Sequence, residues 1–544
     1  MLFNSYLFIF VFLPVALSGC FILARVKGPY AAQLWLIGAS LLFYASWNWF
    51  YLPLLLLSIT FNYAIAVLMV RAKSKSTKKY LILLAVLVDL SLLGYYKYAN
   101  FFLGAVNATT GTDFSLPAIL LPLGISFYTF QQLTLLADIG RGAGEKLRLD
   151  RYSLFVIFFP HLIAGPIVHH REMMPQFEKA DYRIRWQNLA VGGSLFAMGL
   201  FKKTVLADGV ASYISPLYTT ASKGHLTLVY AWAAAFGFIL QMYFDFSGYS
   251  EMASGLARAV GIKLPMNFNS PLKATSITEH WRRWHMTLSR FLTEYLYTPI
   301  VMTLTRRRKA RGKGGIGGSK GSIGAFFSLL LIPSVTTMFL AGLWHGAGYQ
   351  FLVWGTLHGV YIGVNQGWRL VRPRFWGNPV SYNRVMGPIG FLLTFFSVVI
   401  AIPFFRADSL TAAFNVVGGM FFLNGTELPD VIANRVPGIG AALAELGIVF
   451  APSSLSNLIA TWLWIAGLLC VALTLPNVME ILREWEPAIT LPNSGPGDRI
   501  ALLTGLGRRL VWRPETCWAI GTAGFAACGI LALTRASAFL YWQF

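Results

Sequence analysis

Apolar runs of about 20 residues, cut by short polar stretches, recur along this chain from end to end. That is the length an α-helix needs to cross the hydrocarbon core of a bilayer. The pattern predicts an all-α polytopic membrane protein with about 12 transmembrane helices. The first run ends at Arg25 and Lys27, and residues 30–70 hold two spans that turn at the aromatic WNWFY (47–51). Further spans cover about residues 80–103, 116–137, 188–206, 226–246, 323–341, 347–366, 388–404, 458–476 and 516–534.

Two blocks break the rhythm. SLFVIFFPHLIAGPIVHHREMMPQF (153–177) is apolar but interrupted by Pro160, Gly165 and Pro166. Broken backbone at membrane depth survives only inside protein or beside water, so a re-entrant element is expected. The second block covers residues 247–321. Within it SITEHWRRWHMTLSRFLTEYLY (276–297) reads as one amphipathic, interfacial helix. Ser276 and Glu279 fit a capping box, and Trp281, Trp284, His285, Leu288, Leu292 and Tyr295 share a face. Upstream, Asp245 and Glu251 flank a span end, followed by a turn with Asn267 and Asn269. Arg258 or the Arg282–Arg283 pair are the expected partners of these carboxylates. Lys202 and Lys203 sit toward the outer end of their span, which implies snorkelling or a different boundary.

Composition agrees with the pattern. The chain has 544 residues, 12% charged and 56% hydrophobic, with a mean hydropathy of +0.59. A soluble fold would need about 25% charged residues to cover itself. The net charge of +22 would suggest nucleic acid in a soluble protein. Here the basic residues cluster between apolar runs, so the positive-inside rule and anionic lipid account for them and no nucleic-acid partner is expected. RAKSKSTKK (71–79), RGAGEKLRLDR (141–151), RLVRPR (369–374) and the segment with Arg483, Arg499, Arg508, Arg509 and Arg513 fall inside. Both termini and the base-poor stretch 405–457 fall outside. The N-terminal run lacks a basic leader and reads as a retained span. RRRKARGKGGIGGSK (306–320) reads as a mobile cytoplasmic loop over about residues 305–321. Cys20, Cys470, Cys517 and Cys528 have no metal spacing and read as small hydrophobes. Residues 1–544 form one integral-membrane domain, with a motif core over about 120–370 and C-terminal helices over 388–544.

The chemistry concentrates in FLAGLWHGAGYQFLVWGTLHG (339–359). His345 lies among Gly342, Gly346 and Gly348, in a stretch without Asp, Glu, Lys or Arg between Lys320 and Arg369. Glycines there permit close backbone approach, unusual dihedrals and room for a thin substrate. A desolvated imidazole stays neutral, and a neutral imidazole can take the proton of a hydroxyl as it attacks a thioester. Acyl transfer with His345 as general base therefore fits, beside a plain reading in which His345 caps a tight turn. His358 lies about 220° round a continuous helix from His345, which favours a structural role. His285, taken alone, reads as a hydrogen-bonded core residue. GxSxG, HExxH and Walker patterns are missing, and His169–His170 is a poor metal signature, so neither metal nor cofactor is expected.

FFPHLIAGPIVHHREMMPQF (158–177), YFDFSGYSEMASGLA (243–257), NFNSP (267–271), TEHWRRWHMTLSRFLTEYLY (278–297) and GLWHGAGYQFLVWGTLHG (342–359) closely resemble the membrane-bound O-acyltransferase family. The match is to its bacterial alginate O-acetyltransferase branch, and the terminal YWQF resembles that branch as well. The resemblance implies helices packed around a central tunnel, with a thioester donor, most simply acetyl-CoA, entering from the cytoplasm. The family's histidines fall on His345 and His285. Asp245, Asn267, Trp281, Arg282, Trp284, Trp344, Gly342 and Gly346 fall where residues would line or support the tunnel. The implied setting is a bacterial inner membrane, with an alginate-like exopolysaccharide as acceptor and a periplasmic acyltransferase as partner. Rival readings are a transporter or flippase of an acyl carrier or glycan, and D-alanyl transfer to teichoic acid. One departure stands out. After EYLYTPI, relatives carry a Gly-Gly-Asn turn, whereas this chain continues VMTLTRRRKARGKGGIGGSKGS, which puts donor or partner contacts there in question.

Overall fold

The computed structural model describes residues 1–117, 119–142, 147–316, 323–489 and 510–535. Part of the basic loop, Arg499, Arg508, Arg509 and the terminal YWQF lie outside the described residues. The architecture is helical, as the apolar runs predict. In chain order come α1 (Phe8–Val26), α2 (Pro29–Ala45), α3 (Trp49–Arg71) and α4 (Lys75–Thr110). Then follow α5 (Ile125–Gly140), α6 (Leu149–Ile157), α7 (His170–Lys179), α8 (Trp186–Lys223) and α9 (Leu228–Ala259). The second irregular block gives α10 (Ile277–Arg283), α11 (Met286–Leu292) and α12 (Thr298–Ala310). The remainder comprises α13 (Ile323–His345), α14 (Tyr349–Phe375), α15 (Pro379–Arg406), α16 (Leu410–Met420), α17 (Leu455–Thr474) and α18 (Thr516–Thr534).

Nine helices among the described residues are long and apolar enough to cross a membrane. The other three expected spans exist as helices. α2 has 17 residues and α5 has 16, at the short end of the length a spanning helix needs. α14 is long enough but ends in the polar RLVRPR. α9, 32 residues long, runs through the middle, and nearly all of it beyond Ala233 is buried. It packs on α8 through facing glycines. Gly199 and Gly248 each lie against the other's carbonyl oxygen, as do Gly192 and Gly255, and a Cβ at any of them would collide with backbone. Small residues at such a crossing bring two membrane helices into van der Waals contact.

Several expectations are corrected. Residues 276–297 are not one helix. The chain breaks at His285, whose φ of +41° is left-handed, and the extended strap before it pairs with the break. Asn269 N donates to Arg283 O and Met286 N to Asn267 O, both at 2.9 Å. The capping box is half made. Ser276 Oγ accepts from Glu279 N at 3.3 Å, but the Glu279 carboxylate binds Thr275 and Arg283 instead of the Ser276 amide. Lys202 and Lys203 do not snorkel. They sit in a π-helical turn of α8, Lys202–Ala207, and bind carboxylates inside the bundle. Asp245 pairs with Lys203 and Glu251 with Lys202, where Arg258 or the Arg282–Arg283 pair is expected from the sequence. The basic RRRK (306–309) is the end of α12, not loop. The stretch 405–457 holds α16 and two short parallel strands, β1 (Thr426–Pro429) and β2 (Ile448–Ala451), with Thr426 opposite Ile448. Residues 153–177 are broken as expected, with α6 ending at Ile157 and α7 beginning at His170.

Candidate active site

His345 is the last residue of α13, and the chain turns through Gly346–Gly348 into α14, which runs back along α13. The glycines serve this hairpin. A Cβ at Gly342 would strike the Phe351 carbonyl, and one at Gly346 would strike the Phe351 ring. The space they leave is therefore filled by α14, not left as a passage. Gly346 and Gly348 have φ of −165° and −163°, extended values open to any residue, so no unusual dihedral is needed there. His345 is 4% exposed. Its ring packs on Trp344, Phe405 and Trp354, with centroids 4.7, 5.0 and 5.2 Å away.

A cavity of about 170 Å³ opens against His345, walled by Trp344, Lys97, Ser126, Gly124 and Trp47. A second, of about 310 Å³, lies further along α13, lined by Thr278, Trp281, Arg282, Tyr297, Ser334 and Gln366. Ser334 is eleven residues before His345, roughly 16 Å along the helix axis. Two indole rings join this cavity to the histidine. Trp281 lies 5.9 Å from Trp354, which packs on His345. Trp281 Nε1, Trp354 Nε1 and His358 Nδ1 are buried and make no hydrogen bond among the described residues. Buried polar atoms left without partners are uncommon, and here they follow one path through the protein.

His285 lies near His345, at the break between α10 and α11. Its Nδ1 donates to Asn267 Oδ1 at 2.9 Å, and Thr287 Oγ1 donates to the same oxygen at 2.9 Å. Asn267 Nδ2 in turn donates to Ser250 Oγ at 3.0 Å. With its proton on Nδ1, the imidazole presents Nε2 as the basic nitrogen. Burial pushes the His285 pKa down to about 3, so the ring is neutral. Phe246 and Phe268 hold it, with centroids 4.7 and 6.3 Å away, and Trp284 backs Phe268 at 5.2 Å.

The fold thus gathers His345, His285, Asn267, Trp281, Arg282, Trp284 and Trp344, with Gly342 and Gly346 as packing contacts. Asp245 does not join them; it belongs to the ion cluster between α8 and α9. His358 comes nearer than its helical angle suggested. The angle assumed one continuous helix, but the chain reverses at 346–348, and His358 packs on Trp281 and Trp354 at 5.2 and 4.9 Å. Sequence reasoning also missed Lys97, although a lone lysine within an apolar run is a signal in itself. His169 and His170 are joined by Asp138, with ligand-type atoms within 4.8 Å of one another. That carboxylate already takes Arg141 and Arg171, each at 3.4 Å, which opposes a further cation there.

Residues 39–312 match the family model for MBOAT, the membrane-bound O-acyltransferase family. The chain belongs to that family. It is 40% identical to the peptidoglycan O-acetyltransferase of Helicobacter pylori over 79% of this chain and 81% of that protein. It is 34% identical to the probable alginate O-acetylase of Pseudomonas aeruginosa, over 81% of this chain and 78% of that protein. The teichoic acid D-alanyltransferase of Bacillus subtilis is 28% identical over 44% of this chain and 58% of that protein. The chain is a multi-pass membrane O-acetyltransferase.

Proposed function

We propose that this membrane-bound O-acyltransferase carries acetyl groups from a cytoplasmic thioester, most simply acetyl-CoA, to a glycan outside the inner membrane. The observation that carries the reading is the position of His345. It lines one cavity and is linked through Trp354 and Trp281 to a second. The second cavity bears Arg282 and lies toward the end of α13 that follows the basic segment 306–320, so the positive-inside rule makes it the donor entry. The hydroxyls and indole N–H groups along it suit the amides of a pantetheine arm. His345 takes the proton of the acceptor hydroxyl, and His285, held by Asn267, orients the acceptor or relays the proton. An alginate-like exopolysaccharide is one acceptor. The 40% identity to the peptidoglycan enzyme favours peptidoglycan, reached directly or through a periplasmic acyltransferase. His345→Ala tests the base: the protein inserts and folds, and base-labile acetate disappears from the glycan. Normal acetylation would sink the assignment. Mass spectrometry of muropeptides and of exopolymer from the same cells separates the two acceptors.

A further inference from the structure

Lys97 sits in a π-helical turn of α4, Gly94–Tyr98, within the apolar helix Lys75–Thr110. Lysines in such helices are costly and mark function or ion pairs. Lys202 and Lys203 have carboxylates, but Lys97 has no ion-pair partner among the described residues. Its Nζ donates to the Trp344 carbonyl, one residue before His345, and stands 5.8 Å from the Trp344 ring centre. Tyr98 Oη donates to the neighbouring Leu343 carbonyl at 2.8 Å. An ammonium has three N–H donors, so the Trp344 carbonyl leaves two for other acceptors. That cavity is the one His345 lines, and its lining includes the first turn of α5, Ile125 to Phe127, preceded by left-handed Gly124 (φ +68°). The positive end of the α5 dipole, the ammonium and His345 therefore border one cavity.

We propose that Lys97, with the first turn of α5, forms the oxyanion site of the acetyl transfer. This rests on the reading above, in which His345 is the general base. The acceptor O–H proton passes to His345 and the new O–C bond forms. The thioester carbonyl oxygen then carries the negative charge beside the ammonium. Collapse breaks the C–S bond, and the thiolate leaves with the proton returned by His345. A preorganised cation acts on this charge only as it develops, so it acts on kcat.

The test uses inverted membrane vesicles that retain the full chain, its acceptor and any partner, given labelled acetyl-CoA. Lys97→Met should lower kcat about 100-fold, with KM for acetyl-CoA within about threefold of the parent. Lys97→Arg, which keeps the charge, should recover at least about tenfold of that loss. A Lys97→Met enzyme with near-parental kcat overturns the inference. So does an effect confined to the KM for acetyl-CoA, which would make Lys97 a binding group for the donor. Should Lys97→Met fail to insert, Lys97→Gln replaces it: an inactive Gln variant beside an active Arg variant supports the inference, and equal activities overturn it. Unchanged acetylation by His345→Ala, with Lys97→Met impaired, would remove the base assignment alone. A parent inert toward acetyl-CoA would remove both.

Discussion

Lys97 and Lys203 share a residue type, a π-helical turn and a place inside an apolar helix, yet their surroundings differ. Lys203 is fully buried between Asp208 and Asp245, with Nζ 2.7 Å from each. Lys97 has a backbone carbonyl, an indole face and a cavity shared with His345. The π-turn widens the helix locally and lets a long side chain leave its own helix face. What that side chain meets then decides its use. A lysine paired with carboxylates ties two helices together; one that lines a cavity is placed, on the proposal above, to serve the reaction. The largest predicted effect breaks the first arrangement. Lys203→Met leaves two carboxylates buried together and should cost about 3–5 kcal/mol. The check is the thermal midpoint in detergent, set against a Lys97→Met midpoint near the parent. Adding Asp208→Asn and Asp245→Asn to Lys203→Met removes the stranded charges and should restore most of the loss.

The strap around His285 responds to protons instead. An unfolded chain protonates its imidazoles near the usual pKa of about 6.5. In the folded protein burial holds His285 to about 3 and His280 to about 4, the latter against a smaller opposing pull from the Pro271 carbonyl. Between these values protons bind only the unfolded state. Stability is therefore full above about pH 6.5 and falls as pH drops toward 4, by about 1.4 kcal/mol per unit for each histidine. Thermal midpoints measured from pH 7.5 down to about 4.5 check the slope, and a flat profile would contradict burial of both rings. A smaller effect follows from Asn267→Ala. It removes the acceptor for His285 Nδ1 and Thr287 Oγ1, freeing the ring to change tautomer. Acetyl transfer should fall about tenfold, as for other groups that orient a histidine. Asn267→Asp, which keeps the acceptor, should fall less.

What was legible in the sequence was mostly local. Apolar runs placed the helices, and prolines marked the broken stretch at 153–177. The glycines around His345 announced a close approach correctly, but not what approaches; only the folded hairpin shows Phe351 filling the space. The helix break at His285 was hidden because WRRWHMTL carries an unbroken apolar period. The break depends on Asn267 and Asn269, residues 16 to 18 positions upstream, which bond the strap to it. The partners of Asp245 were equally invisible, because Lys203 lies 42 residues away on another helix. The family motifs were legible as a set, since each lies within one short segment. Lys97 was passed over because its role appears only when α4 meets the end of α13.

The finest test separates capping from charge at that meeting point. Tyr98 and Lys97 satisfy consecutive carbonyls, Leu343 and Trp344, at the C-terminal end of α13. Either would fix the helix end that holds His345, since free carbonyls there need partners. Only the ammonium also brings charge to the cavity. Tyr98→Phe deletes one hydrogen bond while keeping the ring that packs against Phe102, with centroids 6.4 Å apart. It should lower stability by about 1 kcal/mol. Acetyl transfer should change by less than about threefold, because the lost bond contributes equally before and during the reaction. If Tyr98→Phe instead lost as much kcat as Lys97→Met, the two residues would share a single structural task. The contrast between Lys97 and Lys203 would then reduce to two ways of anchoring a helix.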